Sequence, residues 1–179
     1  MNEQMKKQIE FLTEIDKSKG ILRMNWMLDE SRREDDAQHA WHACITAMVL
    51  EEYAARPVDI GHVIQMLLVH DLVEIDAGDT YAYDEEAKKT QKEREQKAAD
   101  RIFGLLPKNR GTFLMELWKE FEAGETPEAK FARTMHNLQP LFLNACTEGK
   151  AWMEHGVSLD QILKRNDRTA EGSEVLWNY

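Results

Sequence analysis

Residues 60–76, IGHVIQMLLVHDLVEID, constrain the fold more than any other stretch of this chain. Val63, Ile64, Leu67, Leu68 and Leu72 recur at helical spacing and make a broad apolar face. An ionisable pair, His70-Asp71, interrupts it. A buried charge is costly unless it is paired or bound to a metal, so a fold that buries this helix must bring partners to the pair. Adjacent helical residues point about 100° apart, so both side chains can reach one ion lying against the face. Imidazole and carboxylate suit divalent metals such as Mn, Fe, Co or Zn, with nothing here selecting among them. Taken alone, the dipeptide fits better as a satisfied core histidine beside a surface aspartate.

Helical periodicity runs through the rest of the chain and no strand is expected. Met5, Ile9, Leu12 and Ile15 form one apolar stripe over residues 2–17, with Phe11 at its edge. Residues 37–55 read as a largely buried helix, broken by Pro57; Asp59 caps the next helix and Gly78 stops it. A helix over 84–104 begins with a solvated charged half. Pro107 and Gly111 mark a turn before an amphipathic helix over 112–123. Thr126 is an N-cap with Pro127 at the first position, and Pro140 kinks or breaks the helix that follows. Short helices near 158–164 and 169–177 finish the chain. With 179 residues, no repeats and no clear linker, the expectation is a single all-α domain spanning 1–179.

Composition narrows the function classes. No apolar run approaches the roughly 18 residues of a membrane span, and the charged N-terminus lacks a signal peptide's features, so a soluble cytoplasmic protein is expected. Cys44 and Cys146 read as core residues. A net charge of −10 disfavours a nucleic acid polymer as partner, but leaves room for a small phosphate held by a local cation or a metal.

The stretch REDDAQHAW (33–41), followed by HDLVEIDAGDT (70–80), resembles the HD-domain hydrolases. More narrowly, it is similar to the branch holding bacterial 5'-deoxynucleotidases and the HD-domain-containing protein 2 type. The likeness extends from KGILRMNW through EAKFARTMHNLQPLFLN to RNDRTAEGSEVLW. It implies an orthogonal helical bundle with a metal pocket between helices. It makes His39, His70 and Asp71 metal ligands, and places the fourth ligand where the family carries aspartate in A-L-D-R-L-Q-P. Here that position is His136. His136 could coordinate through nitrogen, could leave the metal to three protein ligands and water, or could mark a lost site.

The resemblance also implies that Glu74 and Asp79 orient or deprotonate the attacking water; without it, Glu74 reads as solvent-facing and Asp79 as part of the Gly78 turn. Arg23 and Trp26 match a region near the nucleotide, and Arg33 is a further candidate for phosphate or for pairing with site carboxylates. A surface arginine and a core tryptophan are equal alternatives for these. His42 fits a supporting or packing role, His62 and His155 structural ones, and Trp118, Trp152 and Trp177 core or interface anchors.

The resemblance implies hydrolysis of (deoxy)nucleoside 5'-monophosphates, dependent on one divalent ion (Mn, Co, Fe, Zn, Ni or Mg), by a homodimer; no membrane partner is expected. Two alternatives stand beside it: a nucleotide- or metal-binding fold that no longer turns substrate over because of His136, and a helical dimer in which His39, His70 and Asp71 are only polar core residues.

Overall fold

In a computed structural model that describes residues 2–179, Asn2 caps the first helix, α1 (Glu3–Glu14), by accepting from the Met5 N–H at 2.7 Å. A 3-10 turn over Ile15–Gly20 leads into an antiparallel hairpin, β1 (Leu22–Trp26) and β2 (Arg33–Asp35). Leu22 faces Asp35 and Trp26 faces Arg33, with an irregularity between them. Asp35 then starts α2 (Asp36–Leu50): its carboxylate accepts from the Gln38 N–H while the Gln38 side chain takes the Asp35 N–H. Asp59 caps α3 (Ile60–Val69), which tightens into a 3-10 turn over His70–Val73 before α4 (Glu74–Ala77). Next come α5 (Glu85–Gly104), α6 (Lys108–Ala123) and α7 (Pro127–Cys146), the last with Thr126 as N-cap and Pro127 opening it. Four short helices close the chain: α8 (Lys150–Glu154), α9 (Leu159–Arg165), α10 (Thr169–Gly172) and α11 (Glu174–Trp177).

Helices α2, α3 and α7 pack on one another, α5 and α6 flank them, and α10 lies along α7. Phe103, Phe131, Met66, Leu67, Ile102 and Met135 are the largest fully buried apolar side chains of the core they share. Each contributes about 1.5–3 kcal/mol of hydrophobic stabilisation. The all-α expectation holds, with one small exception.

That exception is the hairpin, where no strand was expected. Its pattern is inverted: Leu22 is exposed while Arg23 is buried, so the usual alternation of apolar-in and polar-out is missing. Other corrections have local causes. The first stripe is largely exposed at Met5, Ile9 and Leu12, and Phe11 is the residue that enters the core. Gly111 lies inside α6 rather than in a turn, and glycine is needed there for packing, since a Cβ would stand 2.4 Å from the Phe103 carbonyl oxygen. Pro140 neither ends nor breaks α7; it only removes the N–H that would bond the His136 carbonyl. Cys44 is buried as expected, whereas Cys146, at the end of α7, is exposed. Among the described residues, no helix is long and apolar enough to cross a membrane.

The closest approach between α10 and α7 is at Gly172. A Cβ there would meet Thr134 Oγ1 at 2.3 Å and the Lys130 carbonyl oxygen at 2.4 Å. Thr134 Oγ1 donates to the Thr169 carbonyl at 3.0 Å, tying the same pair of helices. Gly172→Ala is therefore expected to destabilise the fold by about 1–3 kcal/mol, seen as a lower urea midpoint with unchanged slope.

Candidate metal centre

The capping box at Asp35 sets the start of α2 and so places His39, fully buried, at the middle of the helical packing. From α3, the 3-10 turn presents His70 and Asp71. A 3-10 segment turns by about 120° per residue, and such tightening within a helical run often marks a functional position. Helix α7 brings His136 from the third side.

Two hydrogen bonds fix the protonation of the rings. His70 Nδ1 lies 2.7 Å from the Leu67 carbonyl oxygen, an acceptor only, so Nδ1 carries the proton and Nε2 is bare. His39 Nδ1 lies 2.7 Å from Gln139 Oε1. The amide orientation of Gln139 is itself set, since its Nε2 donates to Glu34 Oε1 at 2.7 Å and to His42 Nδ1 at 3.0 Å. His39 Nε2 is therefore bare as well.

Both bare nitrogens face His136 Nδ1, at 3.1 Å from His39 and 3.0 Å from His70. Asp71 Oδ2 joins them, 3.0 Å from His70 Nε2 and 3.8 Å from His39 Nε2. One donor atom from each of the four residues lies within 4.8 Å of the other three. A proton on His136 can satisfy only one lone pair, so the cluster by itself leaves donor electrons unmatched in a desolvated place. A divalent cation would satisfy all of them, and three imidazoles with one carboxylate suit a first-row ion.

Electrostatics agree. Burial, then Arg23, hold His39 well below the ordinary histidine range; burial, then the other two imidazoles, do the same for His136. Both rings are neutral at neutral pH and could serve as metal ligands. Burial alone would raise the Asp71 carboxyl, but the positive charge brought by Arg23, bonded to it at 2.8 Å, counters burial, and the carboxyl is held well below its usual range.

Arg23 explains the hairpin. Its Nη1 donates to Asp71 Oδ2 at 2.8 Å and to Asp36 Oδ1 at 3.3 Å, with Glu74 Oε2 at 4.0 Å. It is a buried cation among four acids, since Asp79 also attracts it. Burial lifts the other three, Asp36 to about 7, Glu74 well above its ordinary value and Asp79 upward, and it lifts Glu34, outside that set, to about 7. Glu74 Oε2 and Asp36 Oδ2 are buried without a hydrogen-bond partner.

The HD domain family matches residues 15–177. This chain belongs to the HD-domain family of metal-dependent phosphohydrolases. It superposes on the crystal structure of a predicted metal-dependent phosphohydrolase from Magnetospirillum magnetotacticum with a TM-score of 0.93 and 48% identity, over 98% of this chain and 88% of that one. It is 29% identical to the 5'-deoxynucleotidase HDDC2 of Xenopus laevis over 135 residues, 75% of this chain and 66% of that protein. The human 5'-deoxynucleotidase HDDC2 is 29% identical over 132 residues, 73% of this chain and 63% of its own length. The chain thus spans just under two thirds of these two relatives. A conserved hypothetical protein of Pyrococcus furiosus, 20% identical with a TM-score of 0.62 over 91% of this chain and 97% of that one, shares the fold.

In this HD-domain chain a cavity of about 760 Å³ opens from the cluster, and His70, Asp71, His136, Glu74, Asp79 and Arg23 all line it. Trp26 and Arg33 do not. The Arg33 guanidinium stacks 4.3 Å over the Trp26 ring, and both side chains bond Glu154, at 3.0 Å from Trp26 Nε1 and 2.7 Å from Arg33 Nη2. They brace the hairpin against α8. His42 supports Gln139, and His62 pairs with Glu120 at 2.8 Å. Trp118 is buried as expected, while Trp152 lines the cavity. Glu34, Asp36 and Gln139 were missed as site residues. Gln139, fully buried, has its partners His39, Glu34 and His42 about a hundred residues away, so no local pattern marked it.

Glu95, on the α5 wall of the cavity, gives a pH test away from the ligands. Gln91 Nε2 donates to it at 2.7 Å, yet burial pushes its carboxyl up from 4.5 to about 6. The folded state therefore holds this proton longer than the unfolded state, and stability falls as pH rises from 4.5 to about 6. Relative to wild type, Glu95→Gln should gain melting temperature across that window and then keep a constant lead. A lead independent of pH would contradict this assignment.

Proposed function

We propose that His39, His70, Asp71 and His136 hold one divalent ion, and that the chain hydrolyses deoxyribonucleoside 5'-monophosphates. The observation that carries the metal part is the convergence of two bare Nε2 atoms on His136 Nδ1 and Asp71 Oδ2, their tautomers fixed from outside by Leu67 and Gln139. The substrate class rests on likeness to the 5'-deoxynucleotidases HDDC2.

When bound, a divalent ion supplies Lewis acidity to a phosphoryl oxygen and makes nearby water more acidic. In this reading Glu74 or Asp79, carboxyls on the cavity wall whose proton affinity burial raises, takes the attacking water's proton when ionised and returns it to the leaving oxygen. The new P–O bond forms as the bond to the nucleoside 5'-oxygen breaks, and that oxygen leaves with a proton as the alcohol. Arg23 keeps Asp71 ionised and aimed at the cluster, and shares its charge with Asp36 and Glu74. Gln139 and the Leu67 carbonyl present lone pairs rather than protons.

The direct test is phosphate release from a panel of nucleoside 5'-monophosphates with Mn, Co, Mg and Zn supplied separately. Wild type should release phosphate with at least one ion, and His70→Ala should lose it by well over a hundredfold. Gln139→Leu keeps all four ligands but frees the His39 ring, and should weaken metal affinity or activity by about 10- to 100-fold. Activity in His136→Asp alone would turn this chain into a binding fold whose fourth ligand was lost.

We further propose that residues 1–179 act as one unit and pair with a second copy through the outer face of α2. Trp41, Ile45, Met48 and Val49 stand 64%, 41%, 56% and 66% exposed at helical spacing there. Light scattering should give a dimer for wild type and a monomer for Trp41→Glu/Ile45→Glu. A wild-type monomer would contradict the pairing. The free thiols Cys44 and Cys146 accord with a reducing compartment such as the cytoplasm.

A further inference from the structure

A phosphate ester entering this cavity needs a cationic partner among the protein's own side chains, and the cavity wall offers several candidates. Arg23 is committed to Asp71 and Asp36. Arg133, one turn before His136 on α7, donates from Nη1 to the Phe121 and Glu122 carbonyls at 3.3 and 3.1 Å, and so closes the end of α6. Lys88 pairs with Glu85 at 3.0 Å, and Lys92 and Lys119 are exposed and solvated. Arg165 is different. Among the described residues it makes no hydrogen bond and no ion pair, although it lines the cavity and is partly buried.

Its surroundings make this unusual. Burial, then the nearby Arg133, push the proton affinity of the Arg165 guanidinium downward, and Tyr83 and Glu122 offset this only in part. A desolvated charge beside a like charge is unfavourable until an anion arrives. Arg165 shares the cavity wall with His70 and His136, and the neighbouring Arg133 stands near them. The Arg133 guanidinium lies 5.7 Å from the Phe121 ring centroid, and that ring lies 4.7 Å from His70 and 5.7 Å from His136. Arg23 is also among the charges that Arg165 feels.

We propose that Arg165 is the residue that binds the phosphoryl group of the substrate, with Arg133 lending charge beside it, while Arg23 is a positioning residue for Asp71. This assignment rests on the phosphomonoesterase reading above and names its anion-binding group. A guanidinium with free donors can hold two phosphoryl oxygens at once, which an ammonium at the same place cannot. The position at the last residue of α9 suits the role: Ser158 and Gln161 form a capping box at the start of that helix, so its final turn is held from within the chain.

The experiment is a calorimetric titration of inorganic phosphate into manganese-supplied wild type, Arg165→Ala, Arg165→Lys and a control, Arg56→Ala, which changes an exposed arginine outside the cavity wall. Arg165→Ala should weaken phosphate binding about 10- to 100-fold, the loss of one charge-assisted contact. Arg165→Lys should recover part of it, millimolar guanidinium should restore more, and Arg56→Ala should bind as wild type. With nucleotide substrates, KM should rise more than kcat falls. Thermal melting separates a binding defect from unfolding, since removing an unpaired cation should leave the melting temperature equal or higher. Phosphate binding within twofold of wild type in Arg165→Ala would overturn the assignment, as would a defect that guanidinium does not relieve and Arg165→Lys shares in full. If phosphate binding depends on Arg165 but no nucleotide is hydrolysed, the anion site stands and the substrate reading fails.

Discussion

The bond from His39 Nδ1 to Gln139 Oε1, 2.7 Å long and joining α2 to α7 across 100 residues of chain, is the constraint on which the site depends. It works with the bond from His70 Nδ1 to the Leu67 carbonyl, also 2.7 Å. Together they turn two buried imidazoles so that their proton-free nitrogens meet. Either ring turned over would present a proton to His136 instead of a lone pair. Gln139 can do this only because Glu34 and His42 take its amide protons, so the polar network is satisfied as a unit and reaches from β2 through α2 to α7.

The second requirement is charge. Asp71 must stay ionised in a place that holds Asp36, Glu74 and Asp79 as well, where burial alone favours protonation. One cation, Arg23, meets this need, and the two-stranded hairpin is the device that delivers it. Trp26, Arg33 and Glu154 lock the far end of that hairpin to α8. Trp26 and Arg33, expected near a nucleotide, thus hold the frame that presents Arg23, and Arg23 in turn holds Asp71.

Much of this was legible in the sequence, for a physical reason. A buried helix with His70-Asp71 in its apolar face must recruit partners, and few residues could supply them. His39 and His136 are those partners, but it was the likeness of REDDAQHAW and EAKFARTMHNLQPLFLN to the HD-domain family, not helical periodicity, that picked them out. The helix starts at Asp59 and Thr126 could be read from cap chemistry, which is local; the capping box at Asp35 was not read. The hairpin was not legible, because its inward residue is an arginine and its outward one a leucine. The roles of Glu34, Asp36 and Gln139 were hidden for a similar reason: a polar side chain whose partners lie far along the chain carries no local signal. Helix α7 also runs through Pro140, where tertiary packing outweighs one missing hydrogen bond.

The central claim is that three imidazoles and one carboxylate form a single ligand set with defined tautomers. It is tested most directly by ¹⁵N-resolved NMR of the histidine rings, with zinc added as a diamagnetic ion. The account predicts Nδ1–H tautomers for His39 and His70 throughout. Zinc should then shift Nε2 of both rings, and Nδ1 of His136, at one equivalent. An Nε2–H tautomer in His39 or His70, or a His136 ring that does not respond to the ion, would contradict it.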